Sequence, residues 1–204
     1  IRGGLINREE LKDRLNEESL EKLLNSLDSC VRATAKLYGG QRVEGDESTL
    51  HLCMRSNDCS KQHLLVCLML TYSLQQLVKQ LSSRLSIKIE MTWILLGKKI
   101  ASTPIFSFHE DMAQLKKSSL DQAAKLNNEM IAIQTSEFSI DELSTIARFN
   151  HLEENCFSLK AFPIERQELL NRQIAHLYHA CFAEEINFPS ARVPQDSSSQ
   201  CNEI

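Results

Sequence analysis

The chain has 204 residues, 42% hydrophobic and 25% charged, with a formal net charge of -4. That is enough apolar material for one of the larger single domains, and the acidic balance argues against a dedicated nucleic-acid binder, which would carry a basic stripe. Seven cysteines (Cys30, Cys53, Cys59, Cys67, Cys156, Cys181 and Cys201) are an odd count without CxxC spacing, so reduced thiols are expected rather than a disulfide framework or a zinc site.

In chain order, residues Asn7 to Leu15 read as a short helix, and Asn16 can cap a second helix running to about Leu37. In that second helix Leu20, Leu23, Leu24, Leu27, Val31 and Ala35 recur at helical spacing, and Gly39-Gly40 stops it. Residues Gln41 to Met54 read as a hairpin: Leu50, Leu52 and Met54 alternate with Thr49, His51 and Cys53, and Gly45-Asp46 is a turn signal. Asp58 or Ser60 opens a long helix to about Arg84, whose broad apolar face marks it as the central buried helix. Its longest apolar run, Leu64 to Leu70, is far short of a membrane span, so any anchor is expected upstream of this sequence.

Ser86 to Leu96 predicts a strand, with Ile87, Ile89, Met91 and Trp93 alternating with Lys88, Glu90 and Thr92. A strand and loop over Lys98 to His109, a helix over Glu110 to Asn127 and a short strand over Met130 to Thr135 follow. Ser139 and Glu142 have capping-box spacing and open a small helix. Arg148 to Leu152 and Cys156 to Phe162 read as a last strand pair, and Pro163 suits the start of a final helix reaching about Ala183. One domain over residues 1–187 is expected, its last helix lying within about 163–187, followed by a disordered Ser/Gln/Pro-rich tail over 188–204. Helices and strands intermix without a Gly-rich phosphate loop, which predicts an α+β fold with helices packed on a mostly antiparallel sheet.

Five stretches, in this order, resemble the class III adenylate and guanylate cyclase homology domain. Ile1-Arg2-Gly3-Gly4-Leu5 is similar to the end of the family's first strand and its glycine turn, and Leu27 to Gly40 to the helix entering its paired glycines. Gly45-Asp46 resembles the hairpin turn, and Leu85 to Ile89 the strand after the central helix. Leu120 to Leu126, then Met130 to Ser136, resemble the family's catalytic helix and following strand, and Phe157 to Lys160 its closing strand. The resemblance implies a ferredoxin-like, cyclase-type antiparallel sheet. The final helix has no counterpart in the minimal family domain. The layout is also similar to a small group of bacterial membrane-anchored proteins linked with haemolysin expression, in which this domain would be the cytoplasmic part.

The family holds two metal ions between an Asp of the first strand and an Asp of the hairpin. Asp46 matches the second; the first falls at or before Ile1 and no acid is visible there. The family's transition-state Asn and Arg, four residues apart, match Asp121 and Lys125 here. An Asp repels a polyphosphate, and Lys lacks the planar fork of Arg. Each such lost contact typically costs on the order of hundreds-fold in rate. The residues also have plainer readings: Asp46 as a turn residue, Asp121 and Lys125 as a surface ion pair, and His176 and His179 as exposed histidines lacking a third metal ligand. Trp93 reads as sheet-face core, and Leu169, Leu170, Ile174, Leu177 and Tyr178 as a stripe packing on its own domain, the alternative being a docked partner.

The expectation is a non-catalytic regulatory module without a cofactor, forming a homodimer or contacting a protein partner. The alternative is an active cyclase or nucleotide sensor holding Mg²⁺ or Mn²⁺ through Asp46.

Overall fold

The computed structural model describes residues 1–43, 49–54, 60–97, 130–135, 138–153 and 155–182, with 113, 114, 117 and 126. The alternation ending at Trp93 organises the sheet. β4 (Met91–Leu96) lies between β1 (Arg2–Leu5), antiparallel to it, and β5 (Ile131–Gln134), parallel to it. The hairpin of β2 (Gln41–Val43) and β3 (Thr49–Cys53) extends the sheet beyond β1; β6 (Arg148–Glu153) and β7 (Cys156–Ala161) extend it beyond β5. The seven strands run β2-β3-β1-β4-β5-β7-β6, and every pair except β4–β5 is antiparallel. The expected α+β architecture is observed.

Local chemistry sets the helix limits. In α1 (Arg8–Arg14) the side chain of Asn7 makes no cap, whereas Asn16 opens α2 (Glu17–Tyr38) by accepting from Ser19 N at 2.8 Å. Gly39 ends α2 at φ 82°, a left-handed position that glycine adopts without strain. Ser60, rather than Asp58, caps α3 (Lys61–Leu85); Asp58 lies outside the described residues. The capping box of Ser139 and Glu142 opens α4 (Ile140–Ser144) as expected, and α5 (Ile164–Phe182) begins beyond Pro163, whose carbonyl accepts from Gln167 N at 2.9 Å.

One expected strand start is corrected. The ladder begins at Met91, not Ser86, so Leu85 to Ile89 is a lead-in rather than a strand. Ser86 turns left-handed at φ 53°, Ser82 Oγ donates to Ile87 O at 2.5 Å, and Ile89 N donates to Ser82 Oγ at 3.2 Å. Side-chain bonds thus replace the ladder; Ile89, Met91, Trp93 and Leu95 are buried as the alternation expects, but Thr92 and Ile94 between them are buried too, so both faces of β4 are covered.

α2, α3 and α5 pack together on one face of the sheet. The core joins Leu23, Leu27 and Val31 of α2 with Leu68, Leu74, Leu77 and Leu81 of α3 and Leu170, Ile174 and Leu177 of α5. The final helix therefore buries its stripe in its own domain, except that Leu169 is exposed. Polar pins fix it there: Tyr38 Oη donates to Gln173 Oε1 at 2.9 Å, Gln167 Nε2 donates to Tyr72 Oη at 2.9 Å, and Arg84 Nη1 donates to Phe182 O at 3.0 Å. α3 is long and apolar enough to cross a bilayer, but half of its most apolar stretch is buried inside this core. The expected elements over 98–109 and 110–127, and the tail 188–204, fall almost wholly outside the described residues.

Candidate functional site

β1 is the stretch that resembles the first strand of the cyclase homology domain, and its residues divide between two environments. Gly3 faces the helices. It pairs with Trp93, and a Cβ at Gly3 would run into the indole ring, so only glycine lets the buried indole lie flat across the strand. The expectation that Gly3-Gly4 forms a turn is corrected: both glycines lie inside the strand.

Arg2 and Gly4 face the other way. The Arg2 guanidinium folds back over Gly4, where a Cβ would come within 2.9 Å of Nη1. Gly4 lies between Thr49 and Thr92, and Arg2 between His51 and Ile94. This second face is buried and mixed: Arg2, Thr49, Thr92 and Ser158 are shielded beside the apolar Ile94 and Ala132, and among the described residues Thr92 Oγ1 has no hydrogen-bond partner.

Register decides what β1 can offer the hairpin. Ile1 exchanges hydrogen bonds with Leu52, Arg2 pairs with His51 and Gly4 with Thr49, so β1 runs toward the β2–β3 turn as the chain proceeds. A residue preceding Ile1 would continue toward Cys53, away from that turn. Thr49 and Cys53, four residues apart, are about 13 Å apart at ~3.3 Å per residue. Toward the turn the chain offers Leu5, Ile6 and Asn7, none of them acidic.

The Asn7 amide is also occupied, its Nδ2 donating to Lys88 O at 2.8 Å and its Oδ1 accepting from Glu90 N at 3.0 Å. It clamps the end of β1 to the lead-in of β4. The sequence reading takes Asn7 only as the opening of a short helix. Its real partners lie 81 and 83 residues away, and no local pattern announces them.

Asp46, Asp121 and Lys125 lie outside the described residues. The base of the hairpin is fixed from beneath: Asp28 of α2 is ion-paired with Arg42 of β2 and, at 2.8 Å, with Arg32. His176 and His179 are exposed on α5. Among the described residues no three His, Cys, Asp or Glu side chains gather as a metal site. Cys67 lies 3.8 Å from His63 Nε2, and burial pushes its thiol up to about 11, which leaves it protonated.

No family model and no curated protein matches the chain. Solved structures do. The monomeric guanylyl cyclase domain of the RhoGC fusion protein from the aquatic fungus Blastocladiella emersonii superposes with a TM-score of 0.57 at 12% identity, over 79% of this chain and 93% of that one. The guanylate cyclase domain of RhGC from Catenaria anguillulae, solved with GTP, gives 0.57 at 12% identity, over 79% and 94%. The fold is that of a class III nucleotidyl cyclase domain.

The cyclase fold sharpens the reading of β1. The sequence resemblance implies a metal-binding carboxylate on the first strand beside the hairpin. Here that stretch carries glycine, leucine, isoleucine and a clamped asparagine, with a folded-back arginine on the same strand.

Proposed function

We propose that this chain is a non-catalytic regulatory module built on the cyclase fold. It acts as a homodimer or protein-contact domain and forms the cytoplasmic part of a membrane-anchored bacterial protein of the haemolysin-expression-associated kind. The observation that carries the non-catalytic reading is the β1–β3 register. An acid before Ile1 would move away from the hairpin, and the positions running toward it carry none.

The Asp121 and Lys125 substitutions act in the same direction, each removing a charge contact worth on the order of a hundredfold in rate. Asp46, which lies outside the described residues, keeps its sequence reading as a turn signal, and the proposed module takes no cofactor. Dimerisation and membrane attachment rest on the resemblance.

Calorimetry of ATP and GTP with Mg²⁺ or Mn²⁺, on the chain extended upstream, tests the reading. No heat of binding at millimolar nucleotide is the expected result. Binding that disappears in Asp46→Ala would overturn it in favour of an active cyclase or nucleotide sensor, and cyclic-nucleotide formation would then be assayed. Sedimentation of the same protein is expected to show a dimer.

A further inference from the structure

Two thiols far apart in sequence meet where the final helix rests on α2. Cys30 is fully buried in α2, while Cys181, next to the last residue of α5, is only partly covered. Cys181 Sγ donates to the carbonyl of Ser29, the residue before Cys30, at 3.9 Å, and Cys181 packs against the core that contains Cys30, so α5 seats one thiol beside the other. The contact is held in place by the polar pins of α5: Gln173 on Tyr38, Gln167 on Tyr72 and the Phe182 carbonyl on Arg84.

We propose that Cys30 and Cys181 form a peroxide-responsive dithiol that closes into a disulfide and fixes α5 covalently to α2. The division of labour follows from burial. Cys181 is reachable by a small oxidant and Cys30 is not. The Cys30 S–H directed at Cys181 favours the Cys181 thiolate, which is held below the ordinary thiol range, while Cys30 is pushed above it, first by that hydrogen bond and then by burial.

The Cys181 thiolate attacks one oxygen of hydrogen peroxide. The O–O bond breaks, giving a sulfenic acid on Cys181 and a hydroxide that takes up a proton as water. Cys30 sulfur then attacks Cys181 sulfur, the S–O bond breaks, and the departing hydroxide leaves as water with the Cys30 proton. Two thiols lose two electrons and one peroxide becomes two waters. The sulfurs must close to about 2.05 Å, a movement the last turn of a helix can absorb. Cys67 offers a contrast, because its hydrogen-bond neighbour is His63 Nε2 and its thiol stays protonated.

The experiment treats the folded full chain with equimolar hydrogen peroxide, alkylates the remaining thiols and maps the peptides by mass. The expected product is the Cys30–Cys181 cross-link, reversed by dithiothreitol, with a melting temperature raised by roughly 5 °C from closing so long a loop. Cys30→Ser is expected to strand the sulfenic acid on Cys181, where dimedone traps it, and Cys181→Ser to slow thiol loss at least tenfold. The proposal is overturned if Cys30 and Cys181 stay alkylatable while other cysteines oxidise, or if Cys181→Ser reacts at the wild-type rate. The wild-type map needs no variant, so a poorly folding mutant does not spare the idea.

Discussion

Neighbouring residues of β4 meet two different interiors. Trp93 points to the helices and lies among leucines of α2 and α3, where an indole is fully shielded and its glycine partner on β1 has been shaped to admit it. Thr92 points to the opposite face, buried to the same degree, beside Gly4 and with an unsatisfied hydroxyl. One face is therefore stabilised by apolar burial, and the other keeps shielded polar groups that apolar burial alone would not favour.

The two faces should respond oppositely to mutation. Trp93→Ala opens a cavity in the helix-covered core and is expected to destabilise by roughly 3–5 kcal/mol in urea unfolding. A loss below about 1 kcal/mol would mean that this face is not close-packed. Gly3→Ala drives a methyl into the indole and is expected to cost about 2 kcal/mol, and combined with Trp93→Ala its penalty should largely vanish, because the clash has gone. Full additivity would sink the assignment of Gly3 as the seat of the ring.

Asn7→Ala leaves Lys88 O and Glu90 N without their partner and should cost about 2 kcal/mol. Asn7→Asp, which puts an acid on the hairpin side of β1, is expected to lose stability and to gain no Mg²⁺ binding by calorimetry, since the backbone contacts already occupy that side chain. On the polar face, Thr92→Val removes an unsatisfied buried hydroxyl at nearly constant volume and is expected to stabilise by about 1 kcal/mol. Destabilisation there would show that the hydroxyl is satisfied after all.

What the sequence conveys tracks how local each cause is. Asn16, Gly39, Ser60 and the Ser139–Glu142 box act within one helical turn, and the helix limits follow from them. The alternation around Trp93 gives the face of each residue correctly but not the strand's start. Ser82 and Asn7 supply to Ser86–Glu90 the bonds that a neighbouring strand would otherwise supply, and neither is adjacent in sequence. The paired glycines of β1 look like a turn because Gly-Gly normally is one. Gly3 instead admits the tryptophan 90 positions away, and Gly4 lies under the folded-back Arg2 guanidinium. The candidate site divides in the same way: the residue types at Asp46, Asp121 and Lys125 are readable, whereas the direction of β1 relative to the hairpin is a property of pairing.

The smallest expected effect lies on neither face, at α4, and supplies a baseline for the other variants. Glu142 Oε2 accepts from Ser139 N at 2.9 Å and from Ser139 Oγ at 3.1 Å, and these bonds hold its carboxyl below the ordinary glutamate value. A carboxylate with a depressed folded-state pKa contributes its stabilisation above the unfolded value and loses it as pH falls through the folded one. The advantage of wild type over Glu142→Gln in urea unfolding should therefore hold steady from neutral pH down to the ordinary carboxyl range. Below that it should shrink, because a protonated Glu142 differs little from glutamine. An advantage that persists undiminished in acid would trace the cap to shape rather than charge. A shift in the Trp93 environment on making this variant would show that α4 is coupled to the helix-covered face, and it would no longer serve as a baseline.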